Sequence, residues 1–322
     1  MSGAELARAA RAGSRRDLAR LLTAVESRSP VAEEGVRELY SYGGAAHIVG
    51  ITGPPGAGKS SLVAALVSKA RAAQRTVAVL AIDPSSPITG GAILGDRVRM
   101  QQHAGDDGVF IRSMASRGHA GGLAGTTAEA AAVLDACGFE LIFIETVGTG
   151  QSEIEVAAVA DTTVVVQAPE AGDEVQAIKA GLLEVADIVV VNKADRPGAD
   201  KAAAHLHSML TVSAREDEAA GGRPRPKRPA VLLTSATQGD GVAELLDALD
   251  RRYRDASDNG QLAVARTTRS RSIVEAILAD RTRASMSDPR EAERTAEILA
   301  AVATNDTDPY AAADRLQETR RP

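Results

Sequence analysis

Short apolar runs alternate with segments of helical periodicity between residue 46 and about residue 250. Seven of these runs predict strands, at 47–52, 76–82, 109–112, 140–145, 162–167, 187–192 and 230–234. Runs that are apolar throughout are typical of strands buried on both faces, in parallel sheets covered by helices. We therefore expect an α/β fold with a mostly parallel central sheet, whose ligands bind at the carboxyl ends of the strands.

Apolar residues recur at helical spacing at both ends of the chain, over residues 4–40 and again from about residue 262. The pattern predicts three regions: an N-terminal helical cap at 1–44, a core domain at 45–255 and a C-terminal helical arm at 256–322. On the pattern alone, the C-terminal helices either mediate dimerisation or pack back onto the sheet.

Composition narrows the class of partner. The net charge of -6 gives no support to binding of nucleic acid or of a membrane surface. Cys137 is the single cysteine, so an intrachain disulfide is excluded and a reducing compartment is favoured. No apolar run approaches the length of a membrane span. These features predict a cytoplasmic protein.

The first predicted strand leads into the sequence GPPGAGKS at 53–60, which fits the phosphate-binding pattern G-x-x-x-x-G-K-[ST]. Glycines let the backbone approach a polyphosphate, and the N–H groups of the following helix attract anions. Lys59 can reach the β- and γ-phosphates, and the Ser60 hydroxyl can bind Mg²⁺. The alternative is a glycine turn in a purely structural unit. The predicted phosphate-binding residues are Gly53, Gly56, Ala57, Gly58, Lys59, Ser60 and Ser61.

Acidic residues follow two other predicted strands. Asp83 and Asp96 either provide oxygen ligands for Mg²⁺ or serve as a turn and a helix cap. Glu145 takes the place of the second acidic motif of P-loop nucleotidases, and the Gly148 amide after it can contact a γ-phosphate. Gln151 or Glu153 could orient the attacking water. The predicted catalytic residues are Lys59, Glu145 and Gln151, and the predicted metal site is Ser60, Asp83, Asp96 and Glu145.

A guanine pocket is predicted by two further strand ends. The sequence N-K-A-D at 192–195 fits N-K-x-D, in which Asp195 accepts hydrogen bonds from the base, Lys193 lies along it and Asn192 braces the phosphate loop. A site built for these donors rejects adenine. The turn Ser235, Ala236 and Thr237 can offer its Ala236 amide to the guanine oxygen. The alternative for 192–195 is a surface helix cap.

Together these motifs resemble the MeaB/ArgK family of GTPases, over nearly the full length. The most specific stretches are 83–86 with 89–100, 110–122, 145–153 and 171–179. The resemblance implies a P-loop NTPase core with helical extensions, GTP/GDP and Mg²⁺ as cofactors, and a homodimer held by the C-terminal arm. It also implies slow GTP hydrolysis, accelerated by an adenosylcobalamin-dependent acyl-CoA mutase. The default partner implied is methylmalonyl-CoA mutase. The GTPase would gate the loading of cofactor into this mutase and protect it from inactivation.

The same resemblance implies a switch loop at 169–179 that couples nucleotide to mutase, with Asp173, Gln176 and Lys179 as candidates. From the residues alone, these three could equally form the first turn of a solvated helix. Two other functions compete. A metal-insertion GTPase needs clustered soft ligands, and Cys137 has none nearby. An ATP-dependent kinase acting on transport proteins conflicts with the motif at 192–195. A binding switch without turnover remains open.

Overall fold

The structure is a computed structural model that describes residues 1–84, 103, 105–116, 122–146, 152–169, 180–220, 229–286 and 292–318. Its described strands form one seven-stranded sheet in the order β3-β2-β4-β1-β5-β6-β7, and every pairing is parallel. The strands are β1 (His47–Thr52), β2 (Val77–Pro84), β3 (Val109–Ser116), β4 (Leu141–Thr146), β5 (Thr162–Gln167), β6 (Ile188–Asn192) and β7 (Ala230–Thr234). The predicted parallel α/β sheet is confirmed, with β2 and β3 extending further than expected.

Helices cover both faces of this sheet. Within the described ranges they are Gly3–Arg11, Arg15–Glu26, Pro30–Leu39, Lys59–Ala72, Gly122–Ala136, Ser152–Val159, Ala180–Glu184, Ala199–Ala220, Val242–Asp258, Gln261–Met286, Ala292–Ala303 and Pro309–Glu318, with a 3-10 turn at Tyr40–Tyr42. No described helix combines the length and the apolar character that a membrane crossing needs.

The core is largely aliphatic and lies on both sides of β1. Val49 and Ile51 pack with the helices Lys59–Ala72 and Val242–Asp258, whereas Ile48 packs on the other face. Gly50 permits close packing on that second face, because a Cβ there would lie 2.9 Å from the Val156 side chain. The continuous apolar character of β1 therefore reflects burial on two sides.

The N-terminal helices cover the edge of the sheet at β3. A capping box of Ser2 and Glu5 begins the first helix, and Leu21 and Leu22 of the second are fully buried in a shared core with the sheet. Arg112 of β3 donates to the Glu26 carboxylate at 2.7 Å. This region thus packs against the edge strand β3.

The chain divides into two compact units, Met1–Ile273 and Val274–Pro322. The boundary falls inside the helix Gln261–Met286. In the first unit, Arg269 donates to the fully buried Asp161 carboxylate at 2.9 Å, and the Ile48 N–H donates to the same carboxylate at 3.0 Å. In the second unit, the helices Ala292–Ala303 and Pro309–Glu318 contact each other.

A buried histidine lies at the amino end of β1. The His47 ring is 2% exposed, stacks on Tyr253 with ring centroids 4.4 Å apart, and places Nε2 2.9 Å from the Thr162 hydroxyl. Burial, followed by the charges of Arg75 and Arg266, lowers the pKa of His47 to about 3. The ring is therefore neutral in the folded protein throughout the physiological pH range.

This histidine predicts a loss of stability in mild acid. The unfolded chain binds a proton at His47 below about pH 6.5, but the folded protein does so only near pH 3, so stability is complete above pH 6.5 and falls as the pH drops. At pH 5 the expected loss is about 2 kcal/mol. Urea unfolding of wild type and His47→Gln at pH 7 and pH 5 measures it. Equal losses in both proteins would assign the effect to other groups.

Candidate nucleotide site

The phosphate loop connects β1 to the helix Lys59–Ala72 and depends on two glycines. Gly53 and Gly58 have φ of 139° and 90°, in the left-handed region. A Cβ on Gly53 would lie 2.1 Å from the Val166 carbonyl oxygen, and one on Gly58 would lie 2.4 Å from Asn192 Nδ2. No other residue type fits at either position, which explains the spacing of these two glycines in the sequence.

Lys59 lies at the start of the helix and faces the loop. Its Nζ donates to the carbonyl oxygens of Gly53 at 2.7 Å and of Pro54 at 3.0 Å, and the residue is 6% exposed. The N–H groups of the first helical turn lie at the same place, where the helix dipole favours anions. A cation beside the N-terminus of a helix forms an environment that fits a polyphosphate.

Ser60 and Glu145 meet below the loop. The Ser60 hydroxyl donates to Glu145 Oε1 at 2.6 Å, and both residues are buried. Glu145 lies within β4, opposite Ile51 of β1 and Ala81 of β2. A buried carboxylate beside a hydroxyl provides the hard oxygen donors that Mg²⁺ prefers, so these residues fit a magnesium ion.

Asp83 lies at the same edge of the sheet. The backbone of β2 places it one residue beyond Ile82, which pairs with Thr146 of β4. Its position is therefore next to the strand that carries Glu145. Asp96, the fourth predicted metal ligand, lies outside the described residues, as do Gly148, Gln151, Asp173, Gln176 and Lys179. Glu153 belongs to the helix Ser152–Val159. Their assigned roles stay predictions.

Asn192 connects the phosphate loop to the turn after β7. Its Nδ2 donates to the carbonyl oxygens of Ala57 at 3.0 Å and Gly58 at 3.3 Å. Its Oδ1 accepts from the Thr234 hydroxyl and from the Ala236 N–H, each at 3.2 Å. Asn192 is 1% exposed, so these bonds are shielded from water. One buried amide thus fixes the phosphate loop relative to the predicted base-binding turn.

The Ala236 N–H has a role that the sequence did not predict. We expected it to face the guanine oxygen, but it donates to Asn192, and a base oxygen here would share this donor. Thr234 was also missed, although its hydroxyl completes the shell around Asn192. A hydroxyl at the end of an apolar strand is the only local signal for such a residue.

Asp195 is held as an anion by the neighbouring turn. The Ser235 hydroxyl donates to Asp195 Oδ1 at 2.6 Å, and this bond, followed by the backbone N–H of Asp195 itself, lowers the pKa of the carboxyl group. Lys193 adopts a left-handed backbone with φ of 61°, which is unusual for a side chain of its size. The carboxylate is thus ionised and oriented to accept hydrogen bonds, as recognition of guanine requires.

A cleft of about 570 Å³ lies beside this turn. One side is formed by residues 61–69 of the helix after the phosphate loop, and the other by residues 236–239 with Val242. Ligand sites commonly have this volume. Ser61, Ala236 and Thr237, all predicted to bind nucleotide, line it. Within the described residues, no group of three His, Cys, Asp or Glu side chains could hold a metal ion.

A phosphate loop after β1, a buried glutamate on β4 and an N-K-x-D segment after β6 define a P-loop GTPase. Comparison with known proteins gives the particular family. The family model described as methylmalonyl Co-A mutase-associated GTPase MeaB matches residues 18–291. The chain belongs to the MeaB family of GTPases, as the sequence motifs predicted, and it is a GTPase.

Individual relatives agree with this family. A GTPase-family protein of Pyrococcus horikoshii is 45% identical over 318 residues, which are 98% of this chain and 97% of that protein. The mouse mitochondrial methylmalonic aciduria type A homolog is 38% identical over 223 residues, 68% of this chain and 52% of that protein. Among solved structures, a LAO/AO transport system kinase is 28% identical with a TM-score of 0.69, covering 98% of this chain and 97% of that one.

Proposed function

We propose that this GTPase serves an adenosylcobalamin-dependent acyl-CoA mutase, with methylmalonyl-CoA mutase as the partner. It gates the loading of cofactor into the mutase and protects the enzyme from inactivation. The family description and the name of the mouse relative support this partner. The observation that carries the nucleotide part is Asn192, since its hydrogen bonds to Ala57 and Ala236 join phosphate loop and base-binding turn in one buried network.

Hydrolysis follows from the position of the side chains around the loop. Lys59 neutralises charge that develops on the transferring phosphoryl group, from the helix start where its Nζ lies. Ser60 and Glu145 are the residues that would hold Mg²⁺, which when bound neutralises phosphate charge. Gln151 or Glu153 orients the attacking water.

Coupling to the mutase is assigned to the segment at 169–179. β5 lies next to β1 in the sheet, so the chain leaves the sheet after Gln167 beside the start of the phosphate loop. A segment that begins there can respond to the γ-phosphate together with Gly148. Asp173, Gln176 and Lys179 are the residues proposed to transmit this response to the partner.

This proposal predicts that the mutase accelerates GTP turnover several-fold and that the GTPase does not hydrolyse ATP. The measurement compares both nucleotides with and without purified methylmalonyl-CoA mutase from the same source. Asp173→Ala and Lys179→Ala are expected to keep the basal rate and to lose the acceleration. Lys201→Ala removes an exposed lysine from the helix Ala199–Ala220 and serves as the matched control. Turnover of GTP that ignores the mutase would mean that the partner is wrong and the nucleotide site right.

We also propose a cytoplasmic homodimer. Val274, Leu278 and Leu299 of the second unit are large apolar side chains about half exposed, and contact with a second copy of the chain would bury them. Light scattering on the full chain tests the dimer.

Burial raises the pKa of the Cys137 thiol to about 11, so it stays protonated, in keeping with a reducing compartment. Fractionation of the host cell tests the location.

A further inference from the structure

Three buried polar residues end three adjacent strands. Thr146, Thr52 and Gln167 are the last residues of β4, β1 and β5, and they are 1%, 0% and 4% exposed. We call them the polar row. The Thr146 hydroxyl donates to the Thr52 hydroxyl at 3.1 Å. The row lies directly below the edge of the sheet where the phosphate loop begins.

The polar row occupies the face of the sheet opposite to the helix Lys59–Ala72. Side chains two residues apart on a strand share a face. Gly50, two residues before Thr52, faces Val156 of the helix Ser152–Val159. Val165, two residues before Gln167, packs with Leu182 of the helix Ala180–Glu184. The row is therefore separate from Ser60, Glu145 and Asn192, which lie on the side of the phosphate loop.

Gln167 has an unused donor in this row. Its Nε2 is buried, and within the described ranges no group accepts a hydrogen bond from it. A buried N–H without an acceptor costs free energy, so its presence calls for a partner in some state of the protein. Thr52 pairs with Val165 across the β1–β5 ladder, which makes Gln167 its diagonal neighbour on the same face. Such neighbours lie about 7–8 Å apart, within reach of a long side chain.

The polar row also lies next to the three segments that are predicted to contact a γ-phosphate or to respond to it. Thr52 immediately precedes the phosphate loop, Thr146 lies two residues before the predicted γ-phosphate contact at Gly148, and Gln167 lies two residues before the proposed coupling segment. A small shift of β1 or β5 at their carboxyl ends changes the distance from the Thr52 hydroxyl to Gln167. The unused donor is thus placed where bound nucleotide can bring an acceptor to it.

We propose that GTP, and not GDP, brings Gln167 Nε2 into a hydrogen bond with the Thr52 hydroxyl. The bond completes a chain Thr146–Thr52–Gln167 across three strands. Gln167 is then a positioning residue that favours the triphosphate state. This inference rests on nucleotide binding at the phosphate loop and is independent of the mutase.

The test measures Kd for GDP and for a non-hydrolysable GTP analogue by calorimetry, in wild type, Gln167→Met and Thr52→Val. Methionine keeps the volume and removes the amide. Both variants are expected to bind the GTP analogue about 3- to 10-fold more weakly and GDP within about twofold of wild type. The double variant should bind the analogue no more weakly than Thr52→Val alone, because the Thr52–Gln167 bond is already lost in that single variant. The melting temperature of nucleotide-free Gln167→Met should equal or exceed that of wild type.

Thr127→Val is the matched control. Thr127 is 2% exposed and its hydroxyl also lacks a partner among the described residues, but it lies in the helix Gly122–Ala136 outside the row. It should leave the ratio of the two Kd values unchanged. A ratio unchanged in Gln167→Met and Thr52→Val would overturn the proposal while the nucleotide site stands. Failure of wild type to bind either nucleotide would overturn both.

Discussion

Replacement of Lys59 by alanine is expected to lower GTP turnover by at least about 100-fold while the protein stays folded. The Lys59 ammonium group is buried at the phosphate loop, 2.7 Å from the Gly53 carbonyl oxygen. Charge on the transferring phosphoryl group is stabilised by positioned cations, and alanine provides none. Single-turnover hydrolysis at saturating GTP measures the chemical step.

Two further measurements make this result specific. Circular dichroism and thermal unfolding establish that Lys59→Ala is folded, and Lys201→Ala, which removes an exposed lysine, should hydrolyse GTP at the wild-type rate. Nucleotide affinity measured alongside separates weakened binding from slowed chemistry. If Lys59→Ala turns over GTP like wild type, the phosphate site lies elsewhere.

The sheet could be predicted because its signal is local. The strands β1, β4, β5 and β6 are buried along their whole length, so their apolar runs are visible without knowledge of their neighbours. The ends of β2 and β3 were missed since Asp83–Pro84 is not apolar and Ser113 and Ser116 interrupt the apolar pattern, although these backbones pair in the ladder. Strand ends at a ligand site are polar by function, and the apolar pattern therefore fails at the site itself.

The residue types of the site were predictable, but their partners were not. The motifs identify Asn192 and Glu145 because phosphate and guanine recognition need those chemistries. The hydroxyls of Thr234 and Thr52, and the amide of Gln167, matter only through the register of strands that are distant in sequence. Arg269 shows the same limit at the amino end of β5. Its helix has the charged pattern of a solvated surface, yet its guanidinium group reaches the fully buried Asp161.

Replacement of Asp195 by asparagine is expected to shift the preference from GTP towards xanthosine triphosphate. In the predicted base pocket the carboxylate accepts from the N1–H and 2-amino groups of guanine, whereas an asparagine amide would present an N–H to the 2-oxygen of xanthine. Ser235 can still donate to Oδ1, as it does at 2.6 Å, so the turn should keep its structure. One or two charged hydrogen bonds are exchanged, so the ratio of the two Kd values should change by about 10²- to 10⁴-fold.

The control for this change carries the same loss of charge in the neighbouring turn after β7. Asp240 is exposed, and its backbone oxygen, not its side chain, accepts from Ser235 N–H at 2.9 Å. Asp240→Asn should therefore keep the wild-type preference for GTP. Calorimetry with both nucleotides on wild type, Asp195→Asn and Asp240→Asn distinguishes recognition by the Asp195 carboxylate from an effect of net charge. A shift confined to Asp195→Asn assigns base recognition to that carboxylate, because net charge is matched. An Asp195→Asn protein that still prefers GTP would place guanine recognition on other groups of the pocket, such as the shared Ala236 N–H.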